Sequence, residues 1–88
     1  MKEPLELNLE STDGIVDCEL EYVEDNNSYN ATILYPHTSE GMTLSKVYTH
    51  TLQLNRETGT YVFAEDYIHP KVKALEEQIA MAIAKEGY

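Results

Sequence analysis

The sequence predicts an α+β fold: an antiparallel β-meander of four to five strands with a C-terminal α-helix packed on one face. From residue 5 to residue 64, apolar and polar residues alternate with the period of two that is typical of strands. Beyond residue 66 the apolar residues recur every three to four positions, which is typical of a helix. The 88 residues suffice for a single small domain, 1–88, with the meander at 5–64 and the helix at about 67–86.

A hairpin opens the meander. In LELNLE, residues 5–10, leucine alternates with polar residues; STDG interrupts; and VDCELEYVED, residues 16–25, resumes the alternation. The single cysteine, Cys18, falls on the apolar side of the second strand. We therefore expect it to be a small buried hydrophobe, and one cysteine allows no disulfide within the chain.

Two registers of this hairpin are open, and both bring acidic residues together. If the two-residue loop is Asp13–Gly14, Glu10 faces Asp17 and Glu6 faces Glu21 across the strand pair. If the loop lies one residue earlier, Glu6 faces Glu19. Like charges directly opposite each other destabilise a strand pair, so the sequence accepts a cost in either case.

Negative charge is concentrated in this hairpin. The net charge is −10, and residues 1–25 hold nine acidic residues against one lysine. Such a field repels nucleic acid and anionic membranes and attracts basic proteins. We therefore predict a surface that binds a basic protein, such as a nucleic-acid-binding enzyme, and neither nucleic acid nor membrane directly. Its predicted residues are Glu6, Glu10, Asp17, Glu19, Glu21, Glu24 and Asp25.

The third strand follows a turn. The segment EDNNS, residues 24–28, is rich in residues that tolerate left-handed turn conformations, which predicts a hairpin loop. The apolar face of the next strand is marked by Tyr29, Ala31, Ile33 and Tyr35. Pro36 either ends this strand or places it at an edge, because proline has no N–H for the strand ladder. The polar segment HTSEG, residues 37–41, predicts a second loop.

Two more strands complete the predicted sheet. From residue 42 to residue 54 the even positions are mostly apolar and the odd positions mostly threonine or serine. This pattern predicts a long strand with a threonine-rich outer face. NRETG, residues 55–59, is typical of a short hairpin connection. TYVFA, residues 60–64, then forms the last strand, with Tyr61 and Phe63 facing inward.

The predicted helix has Pro70 in its first turn. Its apolar stripe consists of Ile68, Val72, Leu75, Ile79, Ala82 and Ile83. The segment IAMAIA, residues 79–84, has no polar residue, so the side opposite the stripe is apolar as well, which a helix covered on one side does not need. We therefore predict an interface between copies of the chain, formed by Ala80, Met81 and Ala84.

The sequence carries no motif for catalysis or for a cofactor. Phosphate-binding glycine loops, the HExxH motif and the CxxC motif are missing. His37, His50 and His69 are far apart in sequence; His50 lies on the mostly apolar side of the fourth strand, where a hydrogen-bonded core histidine is favoured over a metal ligand or general base. We therefore expect no enzyme, no cofactor and no metal site.

The expected location is cytoplasmic. The first ten residues, MKEPLELNLE, lack the apolar segment of a secretory signal, and the chain has no run of about 18 apolar residues that could span a membrane.

Two functional hypotheses follow. In the first, the protein is a small acidic binding module that imitates a nucleic-acid backbone, since carboxylates two residues apart on a strand are about 6.6 to 6.8 Å apart. In the second, it is a non-enzymatic structural or assembly protein that acts as a homo-oligomer through its apolar helix.

Overall fold

The computed structural model describes residues 3–86, which form a five-stranded antiparallel sheet and a C-terminal helical segment. Each strand pairs with its neighbour in sequence, in the order β1-β2-β3-β4-β5. The strands are β1 (Leu5–Ser11), β2 (Gly14–Val23), β3 (Ser28–Ser39), β4 (Met42–Asn55) and β5 (Thr60–Phe63). A 3₁₀ turn, Glu24–Asn26, joins β2 to β3, and the helices are α1 (Pro70–Lys73) and α2 (Glu76–Glu86). The predicted fold class is confirmed.

The helices cover one face of the sheet, which we call the inner face; the opposite side is the outer face. Apolar side chains of the inner face pack with the buried stripe of the helices in one core. Its fully buried members include Leu20, Tyr29, Ile33, Leu52, Val72, Ile79 and Ile83. Each such aliphatic side chain stabilises the fold by about 1.5–3 kcal/mol through the apolar surface that it removes from water.

The first hairpin turns at Thr12–Asp13, so the alternative loop one residue later is wrong. Ser11 stabilises this turn, because its hydroxyl accepts the N–H of Asp13 and donates to the C=O of Gly14. Gly14 follows with a φ of +118°, which residues with a side chain rarely adopt.

This register changes which acidic residues meet. Glu10 faces Ile15 and not Asp17, and Asp17 faces Asn8. The predicted pairs of Glu10 with Asp17 and of Glu6 with Glu21 are therefore wrong. The pair that the alternative register predicts, Glu6 with Glu19, does form.

β3 and β4 extend past the rest of the sheet as a two-stranded arm. Pairing between β2 and β3 stops at Leu34, whereas β3 and β4 pair as far as Ser39 and Met42. The loop predicted at 37–41 therefore shrinks to two residues. Pro36 lies inside the arm, where β3 has a neighbour on one side only, so the interpretation that it marks an edge is confirmed and the one that it ends the strand is wrong.

The arm also exposes apolar side chains. Met42 and Leu44 have the same parity in β4 as the core residue Leu52, but they are 62% and 50% exposed because the arm lies beyond the helices. The apolar side of β4 is thus buried in part of its length.

The predicted helix is divided and begins later than residue 67. Pro70 disfavours helical backbone in the preceding residue, and His69 accordingly adopts an extended conformation and accepts the N–H of Lys71 at 3.2 Å. Between α1 and α2 the N–H of Leu75 bonds to the C=O of Val72 at 2.9 Å. In this tighter 3₁₀ geometry residues three apart lie above one another, so Val72 and Leu75 both point into the core.

Helix α2 meets both edge strands of the sheet. At the β1 edge the Gln78 amide accepts the N–H of Glu10 at 3.0 Å and donates to its C=O at 2.8 Å. At the β5 edge the Glu76 carboxylate accepts the N–H of Phe63 at 2.8 Å. The curled sheet and the helix thus close around the core, with one polar tie at each edge.

Candidate protein-binding face

Five of the seven predicted partner-binding residues lie together on the outer face. β1 contributes Glu6 and Glu10, and β2 contributes Asp17, Glu19 and Glu21, all exposed. We call these five residues the acidic face. The outward-facing positions of β3, β4 and β5 are polar uncharged or apolar, so no lysine or arginine of the described strands lies on this side of the sheet.

Glu6 and Glu19 are the centre of the acidic face, because they are direct neighbours across the strand pair. Side chains in such positions approach within about 4.5–5.5 Å at their Cβ atoms, so the two carboxylates repel each other. Beside them lies a hollow of about 410 Å³, whose outward-facing lining is Glu6, Asn8, Asp17, Glu19, Thr32 and Leu34. It combines three carboxylates with an apolar side chain, which suits the long side chain of lysine or arginine.

The acidic face is not neutralised within the described part of the chain. Residues 3–86 form two ion pairs of lysine with carboxylate, Lys71–Asp13 and Lys73–Glu76. Neither includes a residue of the acidic face, so no cation of residues 3–86 neutralises its charge.

Glu24 and Asp25 are the other two predicted partner-binding residues. They lie in the 3₁₀ turn after β2, beyond the end of the sheet pairing, and both are exposed. Asn27 closes the turn with a left-handed φ of 50°. The structure therefore places these two acids next to the acidic face along the chain but outside its sheet surface.

Apolar side chains border the acidic face. Leu34 and Val47 are direct neighbours across β3 and β4, with 37% and 58% of their surface exposed, and Ile15 of β2 is 60% exposed. The alternation of the sequence assigns Leu34 and Val47 to the outer side, but only the register of the strands shows that they lie beside Asp17. These side chains give a partner exposed apolar surface to bury beside the acidic face.

The β1 edge adds backbone groups to this surface. Because Glu10 directs its N–H and C=O away from β2 to Gln78, the alternation of antiparallel pairing directs those of Glu6 and Asn8 away from β2 as well. No hydrogen-bond partner within residues 3–86 reaches the backbone of Glu6 or Asn8 on that side. Two donors and two acceptors thus lie open directly beside the acidic face.

The predicted oligomer interface lies on the other edge. Ala80, Met81 and Ala84 line a groove of about 360 Å³ between α2 and β5, together with Tyr61 and Val62. Met81 is 65% exposed. The buried side of the same helix is formed by other residues, so these three side chains are free to contact another molecule.

Several basic side chains lie on the inner face instead. Where the arm meets α1, a hollow of about 260 Å³ is lined by His37, Lys46, His69 and Lys71 with Tyr35 and Tyr48. Lys71 is paired with Asp13 at 3.0 Å, and the Nζ of Lys46 lies 5.4 Å from the ring centre of Tyr48. Lys46 and Lys71 thus lie at one end of the inner face, on the side of the sheet opposite the acidic face.

His50 and Cys18 are largely removed from solvent. His50 is 14% exposed at its side chain and packs against the ring of Phe63, and its Nδ1 lies 3.4 Å from Oε1 of Glu65, beyond ordinary hydrogen-bond length. Neither ring nitrogen of His50 has a hydrogen-bond partner within residues 3–86, so the prediction of a hydrogen-bonded histidine is wrong. Cys18 is buried, as predicted, and burial raises the pKa of its thiol to about 12, so it stays protonated and unreactive at neutral pH.

Within residues 3–86 no three histidine, cysteine, aspartate or glutamate side chains lie close enough to share a metal ion. The helices of this part of the chain are too short or too polar to cross a membrane. Comparisons of the chain with models of protein families, with curated proteins and with solved structures find no match.

Proposed function

We propose that this protein is a small acidic protein-binding module whose outer face docks onto the basic surface of a nucleic-acid-binding protein and so regulates or inhibits it. The observation that carries the proposal is the directly paired Glu6 and Glu19 beside a hollow with an apolar wall. A lysine mixed into these strands would stabilise the hairpin, yet the described part of β1 and β2 has none. A cationic partner would supply the missing compensation.

The spacing of the carboxylates supports the second part of the proposal. Along β2, Asp17, Glu19 and Glu21 project on one side at intervals of about 6.6–6.8 Å, and β1 runs about 4.8 Å away with Glu6 and Glu10 on the same side. Nucleic acid likewise presents regularly spaced negative charges, about 3.4 Å apart along the axis of each strand before winding is included. A basic groove built for phosphates therefore meets a similar field on this sheet.

The test uses two variants with the same change in net charge. In the first, Glu6→Gln, Asp17→Asn and Glu19→Gln neutralise the centre of the acidic face while keeping its shape. In the second, Glu57→Gln, Glu77→Gln and Glu86→Gln neutralise three exposed acids elsewhere. The probe is protamine, an arginine-rich protein that binds DNA without sequence preference, carrying a fluorescent DNA duplex.

We expect the unmodified protein to displace the duplex and the first variant to need roughly tenfold more protein, because charges close to the contact dominate steering and affinity. The second variant should behave within about twofold of the unmodified protein at 0.15 M salt, where charges beyond about 8 Å are screened. Equal losses in the two variants would show that net charge alone governs binding, and the proposal would then be wrong.

The groove between α2 and β5 favours a second candidate function, a structural or assembly role as a homo-oligomer. Its observation is the exposed Met81 beside Ala80 and Ala84 at a sheet edge. Light scattering after size-exclusion chromatography should show a dimer that Met81→Glu dissociates and that Lys85→Glu, one turn further along the helix, leaves intact. A monomer at the highest attainable concentration would refute this role.

A further inference from the structure

The β1 edge identifies the kind of segment that the acidic face receives. We infer that a partner adds an extended strand to the β1 edge, with basic side chains on the outer face and apolar side chains on the inner face. This inference rests on the proposed function, because it assigns the binding mode and the partner chemistry of the same surface.

The backbone of β1 can take an added strand. β1 is an edge strand, and its open N–H and C=O groups are those of Glu6 and Asn8. Unpaired edge groups of this kind accept an added strand through main-chain hydrogen bonds. Pro4, which has no N–H, precedes the open stretch, and the tie of Gln78 to Glu10 ends it. The edge therefore offers four hydrogen bonds, enough for a segment of about four to five residues.

The side chains around this edge determine which segment fits it. In an added antiparallel strand, the residues that bond to Glu6 and Asn8 place their own side chains on the outer face, next to the carboxylates of Glu6 and Glu19 and the hollow beside them. The alternate residues point to the inner face, where Leu5 and Leu7 are half-buried and pack against the margin of the core. An alternating basic and apolar segment satisfies both sides.

A second copy of this chain does not fit the same edge. Pairing β1 with β1 of another copy would bring Glu6 and Glu10 of both chains to one side of the extended sheet, with no cation among them. Like charges in neighbouring strands destabilise the pairing. Acidic side chains thus protect the edge against self-association and leave it open to a segment of opposite charge.

The experiment titrates the ¹⁵N-labelled protein with a ten-residue peptide of alternating lysine and valine, acetylated and amidated at its ends. Two modified peptides serve as the central comparison. One carries methyl groups on the backbone nitrogens of its lysines, whose N–H groups would bond to β1. The other carries them on the nitrogens of its valines, whose N–H groups would point away from β1.

We expect the unmodified peptide to shift the amide signals of Glu6 and Asn8. Methylation at the lysines should weaken binding about tenfold or more, since it removes hydrogen bonds to β1 and places methyl groups against the edge. Methylation at the valines should leave affinity within about threefold, because the β1-facing groups are kept. A protein variant, Asn8→Pro, should lose binding as the lysine-methylated peptide does, and it should fold because the N–H of Asn8 makes no bond to β2.

The outcomes separate this inference from the proposed function. If the two methylated peptides bind equally well, strand addition is wrong even where the triple neutralisation of the acidic face still abolishes binding to protamine. If the peptide shifts signals of β5 in place of β1, the inference is also overturned. Loss of protamine binding in both triple variants would instead refute the proposed function, whatever the peptides do.

Discussion

The two edge strands of the sheet differ in length and in how their open sides are covered. β5 is only four residues long, its inward side chains Tyr61 and Phe63 pack against the helix, and Glu76 accepts the N–H of Phe63. β1 is seven residues long, is tied to the helix by Gln78 at Glu10, and has no other partner within residues 3–86 on the side that faces away from β2. The β5 edge adjoins the groove beside α2, and the β1 edge adjoins the acidic face. The β5 edge is thus protected by its shortness and by the helix packed against it, whereas the more open β1 edge depends on charge for its protection.

The largest expected loss of stability comes from a substitution in α2, the helix that contacts both edge strands. Ile79→Ala should lower the free energy of unfolding by about 2–5 kcal/mol, because Ile79 is completely buried between the sheet and α2. Met81→Ala, two residues further on the exposed side, should change it by less than about 0.5 kcal/mol. Urea unfolding measures both. Similar losses in the two variants would contradict the division of α2 into a buried and an exposed side.

The β5 tie should be the stronger of the two polar ties. Glu76→Ala leaves the N–H of Phe63 without its acceptor in a partly buried position and should cost about 1–3 kcal/mol. Glu76→Gln keeps an acceptor oxygen and should recover most of this loss. If Glu76→Gln is as unstable as Glu76→Ala, the charge of Glu76 and its contact with Lys73 matter more than the bond to the strand.

The β1 tie should contribute less, because it is exposed to water. Gln78→Ala should cost about 0.5–1.5 kcal/mol and should speed hydrogen exchange at the amide of Glu10. Gln78→Glu can accept the N–H of Glu10 but cannot donate to its C=O, so its free energy of unfolding should lie between those of the unmodified protein and Gln78→Ala. Unchanged exchange at Glu10 in Gln78→Ala would mean that the edge is open along its whole length.

These contrasts mark what the sequence predicts and what it does not. The strands and the buried stripe of the helix were predictable because the spacing of apolar residues along the sequence indicates each kind of structure. Both possible loops of the first hairpin put the same side chains on the apolar face, so alternation could not decide whether Glu10 faces Asp17 or Glu6 faces Glu19. The hydrogen bonds of Ser11 select the register. The exposure of Met42 depends on how far the arm extends beyond the helices, and the local sequence pattern does not indicate that distance.

The candidate site divides in the same way. Five acids of the acidic face were predictable from alternation, since carboxylates on a half-buried strand face water. Glu24 and Asp25 lie outside the acidic face because a 3₁₀ turn begins at the end of β2. The sequence there predicts a turn but not the direction in which it takes the chain. The contributions of Leu34, Thr32 and the β1 backbone depend on register and edge position, which are properties of the assembled sheet.

The smallest effect should come from the exposed tie between the first hairpin and α1. Lys71 and the hydroxyl of Tyr35 both bind Asp13, at 3.0 and 2.8 Å, and together they hold the pKa of its carboxyl below the ordinary 3.8, with the bond from Lys71 the larger cause. A carboxyl whose pKa is lowered by folding stabilises the native state above its unfolded pKa and loses that contribution as pH falls through its folded pKa. The difference in stability between the unmodified protein and Asp13→Asn should therefore be constant above about pH 5 and should shrink as the pH falls below 3.8. Urea unfolding at pH 6, 4 and 2.5 tests this, and a difference as large at pH 2.5 as at pH 6 would show that the carboxylate charge of Asp13 does not hold the turn of the first hairpin to the helix.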